Sequence, residues 1–229
     1  MSTPLVVLDD LSAKYGMHVV LQAVSLRIER GEHVALVGKS GVGKSTLLKL
    51  AFSALTRSVT AGADPMPSIA FLPQELGLVT QLPVFHNVYM ARLARYGRLQ
   101  NLRNFVWPQA ARAAEMESIL GQLDMPSSLR TAVASLSGGQ KQRVAVARAL
   151  YQEAEVLLAD EPCSALDGPQ ADNVLQLLTS SFTASIVALH DVDLALKHAT
   201  RVIGLRDGRL ALDEPSATLR AADLGFLYE

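Results

Sequence analysis

Short apolar, β-rich runs recur along the chain at 33–37, 68–72, 155–159, 185–189 and 202–205, separated by stretches with helical spacing. Several runs are apolar at consecutive positions, as strands buried on both faces require, so the pattern predicts a parallel sheet covered by helices. The middle of the chain differs. Residues 87–95 and 109–123 carry helical spacing with no strong strand between them, and Pro108 precedes the second where a helix can start. The reading is one domain over residues 1–229, with an α/β core at about 1–75 and 151–229 and a helical subdomain inserted at about 76–150. Residues 61–67, rich in alanine, glycine and proline, read as a surface connection.

Composition removes several classes of function. The chain is 49% hydrophobic with a formal net charge of -1, so no basic field favours nucleic acid. One cysteine, Cys163, excludes an internal disulfide and a cysteine-built zinc site, which suits a reducing compartment. No apolar run approaches the roughly 18–20 residues needed to cross a bilayer. The stretch from Met1 to Asp10 lacks the basic start and apolar stretch of a secretory signal. The expectation is a cytoplasmic protein whose membrane role, if any, comes through a partner.

Three segments carry chemistry. Gly38, Lys39, Ser40, Gly41, Val42, Gly43, Lys44, Ser45 and Thr46 satisfy the phosphate-binding pattern G-x-x-x-x-G-K-[ST], placed between the strand at 33–37 and a helical stretch. Glycines let the backbone curl so that successive N–H groups face a phosphate, and the helix N-terminus adds partial positive charge. Lys44 reaches the β- and γ-phosphates in this reading, and Ser45 offers a hydroxyl to Mg²⁺. Downstream, the apolar strand at 155–159 leads into Asp160 and Glu161, two carboxylates at the strand end where α/β proteins bind ligands. Alternation along a strand separates their roles, Asp160 facing the metal and Glu161 the attacking water. Finally, Leu136, Ser137, Gly138, Gly139 and Gln140 form a second glycine-rich entry to a helix, a further anion site by the same physics.

That last run, beside a P-loop, resembles the ATP-binding cassette family, and the resemblance covers nearly the whole chain. It implies a P-loop NTPase (RecA-like) parallel-sheet core with a small antiparallel β part and an inserted α-helical subdomain. It further implies ATP hydrolysis with Mg²⁺ in a head-to-tail dimer, most simply a homodimer. Ser137, Gly138, Gly139 and Gln140 would then cap the nucleotide held by the other subunit, with Asp167 in the loop that crosses to it. Tyr15 matches the ring that stacks on adenine, Gln74 the glutamine sensing metal and water, and His190 the histidine contacting the γ-phosphate. As a single residue, each of these also fits ordinary packing or a strand end.

Two departures stand out. The stretch between Thr46 and Gln74 is short, so the antiparallel side sheet is expected to be reduced. The chain ends at Glu229 without the regulatory domain of sugar-type importers, so feedback through such a domain is not expected.

The resemblance also implies transmembrane permease subunits, with a substrate-binding protein for an importer, at the inner face of the membrane. The apolar residues Leu76, Leu78, Val79, Leu82, Val84, Phe85 and Val88 read equally as core or as a docking surface for the permease. The wording around Asn87 and Arg92 to Arg95 is similar to phosphonate-type import cassettes. Exporter, lipoprotein-release and cell-division cassettes are the alternative, and a soluble cassette of iron–sulfur cluster assembly is the alternative of another class.

Overall fold

The computed structural model describes residues 4–60 and 67–229; the surface connection expected at 61–67 lies, apart from Pro67, outside the described residues. The chain forms two compact units, one of residues 1–74, 154–162 and 179–229, the other of 75–153 and 163–178.

The first unit is built on a six-stranded sheet. Its strands are β3 (His33–Val37), β4 (Ile69–Leu72), β5 (Val156–Asp160), β6 (Ala184–Ala188), β7 (Arg201–Arg206) and β8 (Arg209–Pro215), in the spatial order β4-β5-β6-β3-β7-β8. All neighbours pair in parallel except β7 and β8, which form an antiparallel hairpin. Every residue of β5 and β6 is buried, so the consecutive apolar positions seen in the sequence reflect burial on both faces. A separate antiparallel pair joins β1 (Val6–Tyr15) to β2 (His18–Ile28).

Neither β1, β2 nor β8 was read as a strand from the sequence. The alternation Val24, Leu26 and Ile28, all buried between exposed neighbours, was the available signal. Helix α1 (Lys44–Thr60) buries Leu47, Leu48, Ala51 and Leu55 against the cluster that contains Val34, Leu36, Val156 and Ile186. The parallel strands thereby open their carboxyl ends on one edge, at Val37, Leu72, Asp160 and Ala188.

The second unit contains α2 (Val84–Tyr89), α3 (Arg98–Val106), α4 (Ala110–Gln122) and α5 (Gly138–Tyr151). The helix expected over 87–95 is two pieces: α2 ends at Tyr89 and a 3₁₀ segment follows, broken at Arg92 (φ -116°). Arg92 is buried, its guanidinium 3.8 Å from the centre of the Tyr151 ring and 2.9 Å from both Glu115 and Glu153. Helical geometry yields there to the placement of a buried cation, which needs paired charge and a ring face. Helix α3 was not expected at all, because its outward face is apolar and its inward face polar.

Asn87 organises the entry to this unit. Fully buried, its Oδ1 accepts from the Val79 amide at 2.8 Å while Nδ2 donates to the carbonyls of Val79, Leu82 and Pro83. One side chain thus supplies the hydrogen bonds of an irregular turn. Asn87→Leu should lower stability by about 2–3 kcal/mol, because it strands those backbone groups. Urea denaturation measures this, and an unchanged midpoint would show that water serves the turn equally well.

Candidate functional site

The loop between β3 and α1 bends as only glycine permits. Gly38 has φ 142°, and a Cβ there would stand 2.4 Å from the Leu205 carbonyl oxygen. Gly43 has φ 112° and would meet Leu21 Cδ2 at 2.9 Å. The first capped amide of α1 is that of Leu47, bonded to the Gly43 carbonyl at 2.8 Å. The N–H groups of Lys44, Ser45 and Thr46 precede it in the first helical turn, where an α-helix offers no internal acceptor. These are donors for an anion.

Lys44 is buried and its Nζ donates back to the carbonyls of Gly38 (2.6 Å) and Lys39 (3.2 Å). Burial pushes its pKa down, while the carboxylates of Glu161 and Asp160 work against that shift. Asp160 closes β5 and is 1% exposed. Both of its carboxylate oxygens are buried without a hydrogen bond of full geometry. Burial raises its pKa, and the adjacent Ser45 hydroxyl, Lys49 and Lys44 oppose the rise while Glu161 adds to it.

Glu161 leaves the strand in the left-handed region, at φ 53°, with its amide on the Ala188 carbonyl at 3.1 Å. Strict strand alternation would have continued the pleat. The turn instead parts the two carboxyls, at a cost of roughly 1–2 kcal/mol for a residue with a Cβ. Glu161 Oε1 lies 2.5 Å from Nε2 of His190, just beyond the end of β6.

Ser40, Gly41, Gly43, Lys44, Ser45, Thr46, Gln74, Glu161 and His190 line one cleft of about 220 Å³. A larger cleft of about 410 Å³ shares Ser40 and Gly41 but is lined elsewhere by residues such as His18, Arg206 and Leu227 and holds neither Lys44 nor Glu161. Lys44, Gln74, Glu161 and His190 meet in the smaller. Tyr15, 65% exposed at the end of β1, lines a shallow depression with Lys49 and Thr46, the last residue of the phosphate-binding pattern, and not the cleft that holds Lys44. An oxygen-seeking cation fits the donor set: an unpaired buried carboxylate at Asp160, the Ser45 hydroxyl beside it, and the Gln74 amide in the same cleft.

In the helical unit, Ser137 caps α5. Its hydroxyl accepts from the Gln140 amide and the Gln140 side chain accepts from the Ser137 amide, at 3.2 and 2.9 Å. Gly139 is packed where a Cβ would sit 2.9 Å from the Ala165 carbonyl oxygen. Asp167 accepts from the amide and side chain of Gln170 at 3.0 and 3.1 Å, at the start of α6 (Gly168–Ser181). Gln142, buried and not singled out by the sequence, takes the Ala165 amide at 2.7 Å and donates to Ser164 at 3.3 Å. It fixes the loop before Asp167 to the helix that begins at Gly138. Arg148, lower on α5, donates to the carbonyls of Leu76 and Gly77. Nothing in a single polar residue on a helix announces such a contact.

With this geometry in view, the family model for ABC transporters matches residues 21–164. The chain belongs to the ABC transporter family. It is the ATP-binding subunit, an ATPase. The cassette is similar to the phosphonates import ATP-binding protein PhnC of Pseudomonas putida, at 40% identity over 95% of this chain and 87% of that one. It is 37% identical to the protein of that name from Anaeromyxobacter dehalogenans, over 99% of this chain and 48% of that longer one. Among solved structures it resembles the dimeric post-hydrolysis state of the ATP-binding cassette MJ0796 bound to ADP and Pi. The TM-score is 0.76 at 26% identity, over 92% of this chain and 98% of that one. Among the described residues no helix is long and apolar enough to cross a membrane.

The buried charge at Asp160 has a measurable cost. Its pKa in the folded state lies above the unfolded value, so above that range the folded carboxylate is penalised and stability falls as pH rises through it. Asp160→Asn should therefore raise the melting temperature of the nucleotide-free cassette at pH 7.5 while ATPase activity is lost. The gain should shrink as pH falls toward the range where Asp160 itself is protonated. Thermal denaturation at several pH values measures it, and a destabilised variant at pH 7.5 would refute the assignment.

Proposed function

We propose that the cassette binds MgATP at the carboxyl edge of its sheet, hydrolyses it within a head-to-tail dimer, and so powers import of a phosphonate or related oxyanion through a membrane permease. The observation that carries the chemistry is one cleft containing Lys44 and the Glu161–His190 pair, beside the unpaired carboxylate of Asp160. The relation to phosphonates import ATP-binding proteins over almost the whole chain supports the cargo and the direction of transport.

Tyr15 would stack on the adenine, and the backbone of residues 38–46 would cradle the phosphates. Lys44 would exchange its two carbonyl acceptors for phosphate oxygens, a swap that restores charge pairing to a buried cation. Ser45, Asp160 and Gln74 would hold Mg²⁺, which when bound would supply positive charge against the negative charge that develops on the phosphates during transfer. Glu161 would orient the attacking water and take its proton as the water oxygen bonds to the γ-phosphorus and the bond to the β-phosphate oxygen breaks. His190 would hold the Glu161 carboxylate in the cleft and contact the γ-phosphate once nucleotide is bound.

The partner copy would supply Ser137, Gly138, Gly139 and Gln140 at the N-terminus of its α5, with Asp167 from its crossing loop. In one copy alone Ser137 and Asp167 serve as helix caps. A cap that accepts a backbone N–H keeps its hydroxyl hydrogen for a phosphate. The assembly would sit on the cytoplasmic face, with permease subunits and a substrate-binding protein and without nucleic acid.

Glu161→Gln should retain ATP binding but lower kcat by about 10²–10⁴-fold. It should also form a dimer in ATP that ADP does not support. Adding Ser137→Arg should disperse that dimer by placing bulk and charge in the shared site. Sedimentation with each nucleotide is the measurement; a double variant that dimerises in ATP as readily as Glu161→Gln would sink the composite site.

The apolar segment divides by burial. Val84, Phe85 and Val88 are core, Leu78 is half-buried, and Val79 is 40% exposed. Leu76 and Leu82 are half-buried as Leu78 is, and Leu78 with the exposed Val79 would form the tested part of the permease contact. Leu78→Asp with Val79→Asp should abolish transport in the reconstituted complex and leave basal ATPase within about twofold, since a charge buried against an apolar partner is costly. Normal transport by that variant would remove this surface from the coupling path.

A further inference from the structure

Helix α3 is amphipathic in the reverse sense. Asn101 and Asn104 face inward: Asn101 donates to the carbonyls of Leu93 and Tyr96 and accepts from the Tyr89 hydroxyl at 2.9 Å, and Asn104, fully buried, donates to that hydroxyl at 3.0 Å. Phe105 packs on His86, ring centres 4.9 Å apart. Outward stand Leu99, Leu102 and Val106, which share one helix face, and Trp107 follows at the helix end; they are 85%, 65%, 56% and 74% exposed. At 100° per residue, Arg98 and Arg103 flank this stripe on opposite sides. The helix contains no acidic residue to neutralise them.

A large apolar side chain left in water next to buried asparagines implies a partner for the outward face. Four side chains fall short of the roughly 800 Å² per partner that a stable protein–protein interface takes. Leucine, valine and tryptophan rimmed by arginines with no acidic residue on their own helix match the boundary between acyl chains and anionic headgroups, where the indole N–H stays wet and guanidinium groups meet phosphate. We propose that α3 is an interfacial helix whose Leu99, Leu102, Val106 and Trp107 enter the headgroup layer of an anionic bilayer while Arg98 and Arg103 pair with lipid phosphates. The helix would anchor and orient the cassette beside its permease. This rests on the reading that the cassette works against a membrane, and is independent of its nucleotide chemistry and cargo.

Trp107 is the single tryptophan of the chain and reports directly on the site. The full-length protein is titrated with vesicles of phosphatidylglycerol and phosphatidylethanolamine, and separately of phosphatidylcholine, while its fluorescence is recorded. With anionic vesicles the emission should shift to the blue and be quenched by lipids brominated near the headgroup; 0.5 M salt should weaken the effect, and phosphatidylcholine should give little. Leu99→Ser and Leu102→Ser should each lower partitioning about tenfold. Reversing both charges, Arg98→Glu with Arg103→Glu, should lower it at least about thirtyfold.

Because these side chains are exposed, ATPase activity and melting temperature should stay at wild-type values in all variants. An unshifted Trp107 at millimolar anionic lipid overturns the proposal, as does a shift that the variants leave unchanged. Shielding of Trp107 only by the purified permease in detergent assigns the face to a protein and overturns it equally. ATP hydrolysis that persists through any of these failures leaves the catalytic reading standing.

Discussion

A carboxylate removed from water with few hydrogen bonds to replace it is among the least stable arrangements a core can hold, and Asp160, with only the Ser45 hydroxyl close to it and no bond of full geometry, is such a group. Its oxygens are enclosed because β5 is buried along its whole length between β4 and β6, so the strand end brings the side chain with it. Lys44 sits in the mirror-image situation, a buried cation satisfied by two carbonyls. The two opposite charges moderate each other's penalty without neutralising it, as the opposing electrostatic influences on both groups indicate. Such a cleft is poised to gain free energy from a ligand that brings phosphate to Lys44 and a divalent cation to Asp160.

The fold meets that constraint through direction. In a parallel sheet every strand presents its carboxyl end to the same edge, and four neighbours here, β4, β5, β6 and β3, deliver Gln74, Asp160 and Glu161, His190 and the phosphate loop respectively. Residues more than a hundred positions apart, such as Lys44 and His190, therefore line one small cleft. Where strand geometry would have misdirected a side chain, local strain corrects it, as the left-handed backbone at Glu161 does. The resulting 2.5 Å contact with His190 fixes the Glu161 carboxylate at the mouth of the cleft.

The helical unit uses a different economy, in which single polar side chains organise irregular backbone. Asn87 closes the turn before α2, Gln142 holds the loop before Asp167, and Arg148 gathers the carbonyls of Leu76 and Gly77. Two of the three lie on α5, the helix that begins with Ser137 as its cap. A rigid element that carries both a glycine-rich, serine-capped N-terminus and the supports of two loops can pass a displacement among them, because packed helices move as bodies rather than bending.

Local chemistry was enough to place the phosphate loop, the Asp160–Glu161 pair and the five buried strands near their observed bounds. Each depends on contiguous residues: a glycine spacing that only a tight turn needs, or an apolar run that only a doubly covered strand tolerates. Tyr15, Gln74 and His190 were singled out only through their order in a family pattern, since one aromatic, amide or imidazole carries no signal of its own, and the structure brings Gln74 and His190 into the cleft with Lys44. The tertiary structure alone decided which apolar residues are core, Phe85 and Val88, and which stay on the surface, Val79 and Leu99. It alone showed α3 turned polar side inward and the second tasks of Gln142 and Arg148. The physical reason is that burial and long-range hydrogen bonds are properties of what lies opposite a side chain, and a periodicity records only that a face exists, not which way it points.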